Sequence, residues 1–342
     1  MSHSPAPPPV DASPVGAGAR WARLRLPAVA LLVVGALVAW WLWPTAPKEP
    51  SGTLTFSTGV PTGVYHRYGE LLREHLAQDM PEVSVRLEPS EGSQQNLARV
   101  ASGEADFTVA TADAVAKYRL DGRPGAVWLR GCARLYDDYV QLVVPAGSPV
   151  RSTADLRGKR VAVGQPGSGV RLIAERMLRA AGLDPAEDVR PVSIGIDTMP
   201  TELEQGRIDA FFWSGGLPTN SVKELSERYE IRLVPLGDLV ASVQAQGGPA
   251  RYYRAAAMPQ DAYAKIRNTE PVPTLAVPNL LVTTERQDAR LTERFTRTVI
   301  DSRPSIGGEV HAAQLVDLRT AIYTDPLDLH EGAAAYYRSV KP

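Results

Sequence analysis

Residues 155–169 read DLRGKRVAVGQPGSG, and this segment is the most informative one for the fold. Its β-branched centre, 160–163, predicts a strand, and the glycine- and serine-rich turn after it leads into a helical pattern over 168–181 that ends before Gly182. In α/β proteins ligands bind beyond the carboxyl ends of the strands, where the next helix begins. The stretch therefore predicts an α/β fold with a ligand at this turn.

The same alternation of strand and helix recurs along residues 54–283, where short β-branched runs alternate with amphipathic helical patterns. It predicts parallel sheets with helices on both faces. There are too many units for one small sheet, so we predict two lobes: 53–143 plus 276–342 (lobe 1) and 144–275 (lobe 2). We expect a hinge where strands near 140–144 and 274–283 cross between the lobes, and two further helices over 286–302 and 308–319.

The composition excludes several classes of protein. The 342 residues carry a formal net charge of −1, whereas nucleic-acid binding normally requires a basic face. The one cysteine, Cys132, cannot form an internal disulfide, and the five histidines have no metal-ligand spacing. No dinucleotide or phosphate-loop motif is present, and we predict neither a cofactor nor a metal.

The N-terminus predicts the compartment. Residues 1–25 are expected to be a disordered cytoplasmic segment ending in three arginines, and the uncharged run 26–43 is long enough for a single-pass transmembrane anchor. Three tryptophans end the run, and the arginines before it place the body outside the inner membrane, after a linker over 44–52. A cleaved signal peptide is the alternative, although the proline-rich sequence after Trp43 is a poor cleavage site.

Five predicted strand-to-helix turns share a composition rich in Gly, Ser and Thr: residues 57–63, 90–93, 108–113, 164–169 and 214–216. Glycines let a ligand approach the backbone, and helix N-termini favour a carboxylate or phosphate. No nucleophile elbow or acid–base pair is apparent, and adjacent Asp137 and Asp138 are expected in a solvated turn. We therefore predict a binding protein for a small anionic solute and not an enzyme.

The order of these blocks resembles the TAXI family, the TRAP-associated extracytoplasmic solute receptors. The resemblance covers 52–340 and rests on TGVPTGVY at 58–65, EGS at 91–93, SGEAD at 102–106, the stretch 155–169, DAFF at 209–212 and HEGA at 330–333 followed by two tyrosines. It implies a two-lobed type II periplasmic-binding-protein fold, a ligand such as glutamate or an organic acid, and delivery to a TRAP-type permease in the membrane.

The resemblance also implies site residues. Gly167, Ser168 and Gly169 would cradle the carboxylate, and the full set at the ligand would be Thr58, Thr62, Tyr65, Ser93, Asn96, Thr111, Asp113, Tyr136, Gly167, Ser168, Gly169, Phe212 and Trp213. The sequence leaves open whether Arg67, Arg134 or Arg171 reaches the cleft, where an arginine would hold a carboxylate with two hydrogen bonds, and a surface position is the expectation for each. A membrane-tethered sensor or interaction protein of the same fold, working without transport, remains the alternative function.

Overall fold

The structure, a computed structural model, describes residues 4, 33–35, 49–263 and 265–340. Within these ranges, no helix combines the length and the apolar composition that crossing a membrane requires. The predicted cytoplasmic segment (1–25) and anchor (26–43) fall almost wholly outside them, as does the first half of the predicted linker. Residues 50–342 form one compact unit, which contains the whole α/β body.

In the described part of that body, ten strands form one mixed sheet. They are β1 (Gly52–Ser57), β2 (Val83–Glu88), β3 (Phe107–Thr111), β4 (Leu129–Pro145), β5 (Arg160–Ala162), β6 (Arg190–Val192), β7 (Ala210–Gly215), β8 (Ile231–Leu233), β9 (Arg254–Met258) and β10 (Val272–Thr284). Their order is β2-β1-β3-β10-β4-β7-β5-β6, with β8 against the end of β4 and β9 against the start of β10.

The helices pack on this sheet. They are α1 (Val64–Asp79), α2 (Ser93–Ser102), α3 (Ala112–Leu120), α4 (Gly169–Ala180), α5 (Met199–Glu204), α6 (Asn220–Arg228), α7 (Val240–Gln244), α8 (Ala289–Asp301), α9 (Arg303–Ile306), α10 (Leu318–Ala321) and α11 (Glu331–Val340). Short 3-10 turns lie at Ala126–Trp128, Thr153–Leu156, Gly237–Leu239, Gly248–Tyr252 and His311–Leu315. The continuous helix predicted over 308–319 is wrong, because that segment consists of a 3-10 turn and the start of α10.

Two long strands, β4 and β10, run antiparallel through the middle of the sheet. One end of β10 pairs with β3, on the side of β1 and β2, while the C-terminal end of β4 pairs with β7 and β8. We call the part built on β1–β3 lobe 1 and the part built on β5–β9 lobe 2. The predicted lobe boundaries fall inside or at the ends of these two strands and stay predictions.

The prediction of parallel sheets is wrong for the two long central strands. Strand β1 is parallel to β2 and β3, and β5 is parallel to β6 and β7, but β4 and β10 are antiparallel to their neighbours. A strand shared by two lobes pairs along its length with different partners, and antiparallel pairing permits this without a crossover helix for each pair. Residues 137 and 138 lie inside β4 and are buried, so the predicted solvated turn is also wrong.

Each lobe has its own apolar core. In lobe 1 the Phe107 ring stacks on Phe295 of α8 with 4.2 Å between ring centroids. In lobe 2 the apolar face of α4, including Ile173 and Met177, packs on β7. Leu172 on α4 instead joins a cluster formed mainly by lobe 1 residues, so the two lobes share apolar contact.

Candidate functional site

A central cavity lies where the carboxyl ends of the strands of both lobes face each other. It is lined by the turns after β1, β2, β5 and β6 and by the ends of β3 and β7. The cavity encloses about 60 Å³. One water molecule needs roughly 10–15 Å³ by this measure, so the space accommodates a small solute or several waters.

Six of the residues predicted at the ligand line this cavity: Tyr65, Ser93, Thr111, Ser168, Gly169 and Trp213. The other seven do not: Thr58, Thr62, Asn96, Asp113, Tyr136, Gly167 and Phe212. The six come from both lobes and from five separate turns or strand ends. The expectation that the glycine- and serine-rich turns converge thus agrees with the geometry, while ligand binding itself stays a prediction.

Helix α4 presents its N-terminus to the cavity. The Ser168 hydroxyl caps the helix by accepting a hydrogen bond from the Arg171 N–H at 3.0 Å, and it donates to the Gln165 carbonyl at 2.7 Å. Because this hydroxyl is already engaged within its own turn, the groups left for a ligand are backbone N–H groups of the first helical turn. Glycine at 169 lets the lobes approach closely, since a Cβ there would lie 3.1 Å from Ser93 Oγ.

The closed cleft is held by hydrogen bonds from the start of α2 to the turn before α4. The Gln95 N–H donates to the Gly167 carbonyl at 3.0 Å, and the Gln94 side-chain amide donates to the Ser168 carbonyl at 2.7 Å. Gly167 thus faces lobe 1 through its carbonyl oxygen and takes no part in the cavity wall. The structure represents a closed arrangement of the two lobes.

Asn96 and Thr58 lie behind the cavity wall. The Asn96 side-chain oxygen accepts hydrogen bonds from the hydroxyls of Ser57 and Ser90 at 2.7 and 2.6 Å, and its amide donates to the Val109 carbonyl at 3.0 Å. The Thr58 hydroxyl lies 3.1 Å from His66 Nδ1. Both residues are fully buried, and their contacts tie strands and turns of lobe 1 together.

The remaining predicted residues lie further away. Tyr136 and Phe212 are buried in the cores, with the Tyr136 ring packed edge-on against Tyr68. Thr62 is exposed and lines a separate rim pocket. Asp113 is buried on α3, where its carboxylate accepts a hydrogen bond of 2.6 Å from Tyr253.

Two acidic residues in the cavity wall were not predicted. Asp138 of β4 and Glu91 of the turn after β2 both line the cavity. Burial raises the pKa of Asp138 to about 7, opposed by a hydrogen bond of 2.7 Å that Asn279 donates to its carboxylate. Asn279 in turn accepts a hydrogen bond of 2.5 Å from the Tyr65 hydroxyl, so Tyr65, Asn279 and Asp138 form one connected network.

Arginines lie away from the cavity. Arg171 pairs with Glu175 at 2.9 Å, Arg134 pairs with Asp137 at 2.6 Å, and Arg67 pairs with Glu70 at 3.0 Å on the wall of the rim pocket. None of these three arginines lines the central cavity.

Two hydroxyls of the cavity wall lack a partner. Thr111 Oγ1 and Ser214 Oγ are buried and have no hydrogen-bond partner among the described residues. Burying a hydroxyl without a partner costs free energy, so such groups commonly mark a position where a ligand or water binds. Residues 49–263 and 265–340 contain no cluster of His, Cys, Asp or Glu suited to a metal ion.

The comparisons with known proteins concern this same body. A model of the NMT1-like family matches residues 56–340. A putative L-cystine ABC transporter from Listeria monocytogenes superposes with a TM-score of 0.50 at 13% identity, over 78% of this chain and 98% of that chain. A protein from Bordetella bronchiseptica RB50 superposes with a TM-score of 0.50 at 17% identity, over 86% of this chain and 91% of that chain.

A third structure, the periplasmic aliphatic sulphonate binding protein SsuA from Escherichia coli, gives a TM-score of 0.44 at 17% identity, over 86% of this chain and 84% of that one. Likeness at such identities concerns the fold, and the predicted α/β periplasmic-binding-protein fold is confirmed. The family match covers most of the sequence, from the end of β1 to the end of α11. This chain belongs to the NMT1-like family.

Proposed function

We propose that this protein is an extracytoplasmic solute receptor of the TAXI type, which closes its two lobes around one small solute and delivers it to a membrane permease. The observation that carries the proposal is the central cavity. Both lobes line it, a helix N-terminus opens onto it, and the unpartnered hydroxyls of Thr111 and Ser214 lie in its wall. A buried polar site of this kind between two lobes suits reversible capture of a solute.

The solute class we propose carries a carboxylate, as an amino acid or organic acid does. Backbone N–H groups at the start of α4 would bind the carboxylate. A thermal-shift screen of the full chain against amino acids, 2-oxo acids, dicarboxylates and sugars tests this directly. A solute at 100 times its Kd should stabilise the protein by about 2.7 kcal/mol. We expect the melting temperature to rise with carboxylate solutes and not with sugars. An unchanged melting temperature with every carboxylate would contradict the proposal.

The partner we propose is a permease of the inner membrane, of the TRAP type by resemblance. Uptake of the radiolabelled solute should fall in cells that lack this gene and return when the full chain is supplied. Unchanged uptake, with solute binding intact in the purified protein, would instead favour the membrane-tethered sensor.

We further propose that residues 26–43 hold the body at the membrane. The anchored chain should remain in the membrane pellet after alkaline carbonate extraction, with its N-terminus intact. A soluble product that begins near residues 44–48 would show cleavage of a signal peptide and contradict anchoring.

A further inference from the structure

The charged side chains of the central cavity all have the same sign. Its ionisable wall residues within the described chain are Asp138, Glu91 and Tyr65, with no lysine, arginine or histidine among them. Asp138 is 3% exposed, and Glu91 Oε2 is buried without a hydrogen-bond partner. The site therefore has two carboxyl groups and no basic side chain to balance them.

The cavity wall presents two chemically different polar groups. On β4, Asp138 accepts a hydrogen bond from Asn279, and Asn279 is also bonded to Tyr65. The second group is the first turn of α4, whose N–H groups carry partial positive charge. The unpartnered hydroxyls of Thr111, 2% exposed, and Ser214, 7% exposed, can donate or accept.

We infer that the solute carries a positively charged nitrogen, which pairs with the Asp138 carboxylate, and no more than one carboxylate, which lies at the N-terminus of α4. This inference rests on the proposed function and narrows its solute class to amines of zero or positive net charge, such as monocarboxylic amino acids. Glutamate, 2-oxoglutarate and other solutes with two carboxylates fall outside the class.

The charges of the cavity wall favour an amine over a solute with two carboxylates. A buried charge needs an opposite charge or several hydrogen bonds, since its loss of hydration is otherwise uncompensated. A second carboxylate on the solute would meet Asp138 and Glu91 at short range, with no arginine in the wall to offset the repulsion. An ammonium group would instead supply the missing charge and give Asp138 a charge-assisted hydrogen bond.

The protonation of Asp138 agrees with this assignment. Burial raises the pKa of its carboxyl to about 7, so the group changes charge near neutral pH. Binding of an ammonium favours the ionised form, because an opposite charge nearby lowers the pKa of a carboxyl.

Isothermal titration calorimetry on the full chain at pH 8 tests the inference with solutes matched in pairs. L-alanine with pyruvate, L-leucine with 4-methyl-2-oxopentanoate, and L-glutamate with 2-oxoglutarate each differ at the nitrogen-bearing carbon; L-glutamine with L-glutamate differs by one negative charge. The amino acid should bind at least tenfold more tightly than its oxo acid, and glutamine at least tenfold more tightly than glutamate.

The variant Asp138→Asn retains an oxygen that can accept the Asn279 hydrogen bond but lacks the charge. It should weaken binding of the best amine by about 10–100-fold, the usual effect of losing a charged hydrogen-bond partner. The matched control is Asp137→Asn, because Asp137 is the neighbouring residue of β4 and pairs with Arg134 and Arg254, outside the cavity wall. The control should bind within about twofold of the wild type.

The outcomes separate the inference from the proposed function. Oxo acids or dicarboxylates that bind as tightly as their amine counterparts would overturn the inference and leave the receptor proposal standing. Equal losses in the Asp138 and Asp137 variants would likewise overturn it. Absence of binding by every carboxylate in the set and in the wider screen would contradict the proposed function, and the inference would fall with it.

Discussion

The Tyr253 hydroxyl donates a hydrogen bond of 2.6 Å to the Asp113 carboxylate, which joins lobe 2 to lobe 1. Both residues are almost fully buried, and the nearest cation, the Arg176 guanidinium, has its Nε 3.9 Å from the same carboxylate oxygen. Burial raises the pKa of Asp113, and the bond from Tyr253 is the largest influence that opposes this rise. The closed arrangement thus depends on a polar contact at some remove from the cavity wall.

Removing this hydroxyl should destabilise the protein. Tyr253→Phe removes the strongest hydrogen-bond donor to the buried Asp113 carboxylate, at a cost of about 1–3 kcal/mol. The matched control is Tyr252→Phe, because its hydroxyl bonds to Asp325, which is largely exposed. In urea denaturation, the free energy of unfolding should fall by this amount for Tyr253→Phe and by less than about 0.5 kcal/mol for the control. Equal losses in both variants would contradict a special role for the buried contact.

Asp138 should make stability depend on pH. Its folded-state pKa of about 7 lies above the ordinary value of 3.8, so its favourable contribution is complete below about pH 4 and is lost as pH rises to 7. Each unit of pKa difference is worth about 1.4 kcal/mol, so up to about 4 kcal/mol is involved. In urea titrations, the free energy of unfolding of Asp138→Asn should therefore rise relative to that of the wild type as pH increases from 4 to 8. A constant difference across this range would contradict the raised pKa.

The same group should make affinity for an amine depend on pH in the opposite direction. With a pKa of about 7, roughly 1% of Asp138 is ionised at pH 5, so binding should weaken about 100-fold between pH 8 and pH 5. Calorimetry with the strongest monocarboxylic amino acid measures this change. The dependence should disappear in Asp138→Asn; its persistence there would assign the titration to another group.

Thr111 and Thr108 should show opposite effects when each is replaced by valine. Thr111 Oγ1 lines the cavity and has no hydrogen-bond partner of good geometry, although the Thr111 side chain helps to lower the pKa of Asp113. Thr111→Val should therefore cost less stability than Thr108→Val but weaken solute binding about fivefold or more. Thr108 Oγ1 donates to the Ser57 carbonyl at 2.7 Å, away from the cavity, so Thr108→Val should lose about 1 kcal/mol of stability and keep its affinity. Calorimetry and urea denaturation on both variants test the pattern; a larger stability loss in Thr111→Val than in Thr108→Val would refute it.

Gly332, in the first turn of α11, should not tolerate a side chain. A Cβ at this position of α11 would lie 2.0 Å from the Ala289 carbonyl oxygen, at the start of α8. Gly332→Ala should force the two helices apart and cost more than about 2 kcal/mol. Gly147→Ala is the control, since nothing lies within 4 Å of a Cβ there. A Gly332→Ala protein that melts within two degrees of this control would contradict the packing described.

Local sequence patterns predicted the turn at 164–169 because its strand, its glycines and the cap of α4 lie within one short segment. The capping role of Ser168 is a local property, and the structure contains that cap. The closeness of Gly169 to Ser93 is different, since it arises from closure of the lobes. The meeting of these turns was predicted only from the general rule that ligands bind beyond the carboxyl ends of the strands.

Asp138 was missed because only the second half of β4 has an apolar strand pattern. The first half, with Arg130 and Arg134, becomes a strand through its pairing with β10. One signal was available: Asn279 lies inside the apolar run of β10, where both faces are buried. A polar side chain in such a run needs a buried partner, and that partner is Asp138. Tertiary pairing, which no local pattern encodes, brings the two together.

A crystal structure of the full chain with the strongest amine from calorimetry would show whether Asp138 binds the solute nitrogen. We expect solute density in the central cavity, with its nitrogen within about 3 Å of an Asp138 carboxylate oxygen and any carboxylate at the N–H groups that begin α4. Density for the solute elsewhere, as in the rim pocket beside Arg67, with only water in the central cavity, would contradict this expectation.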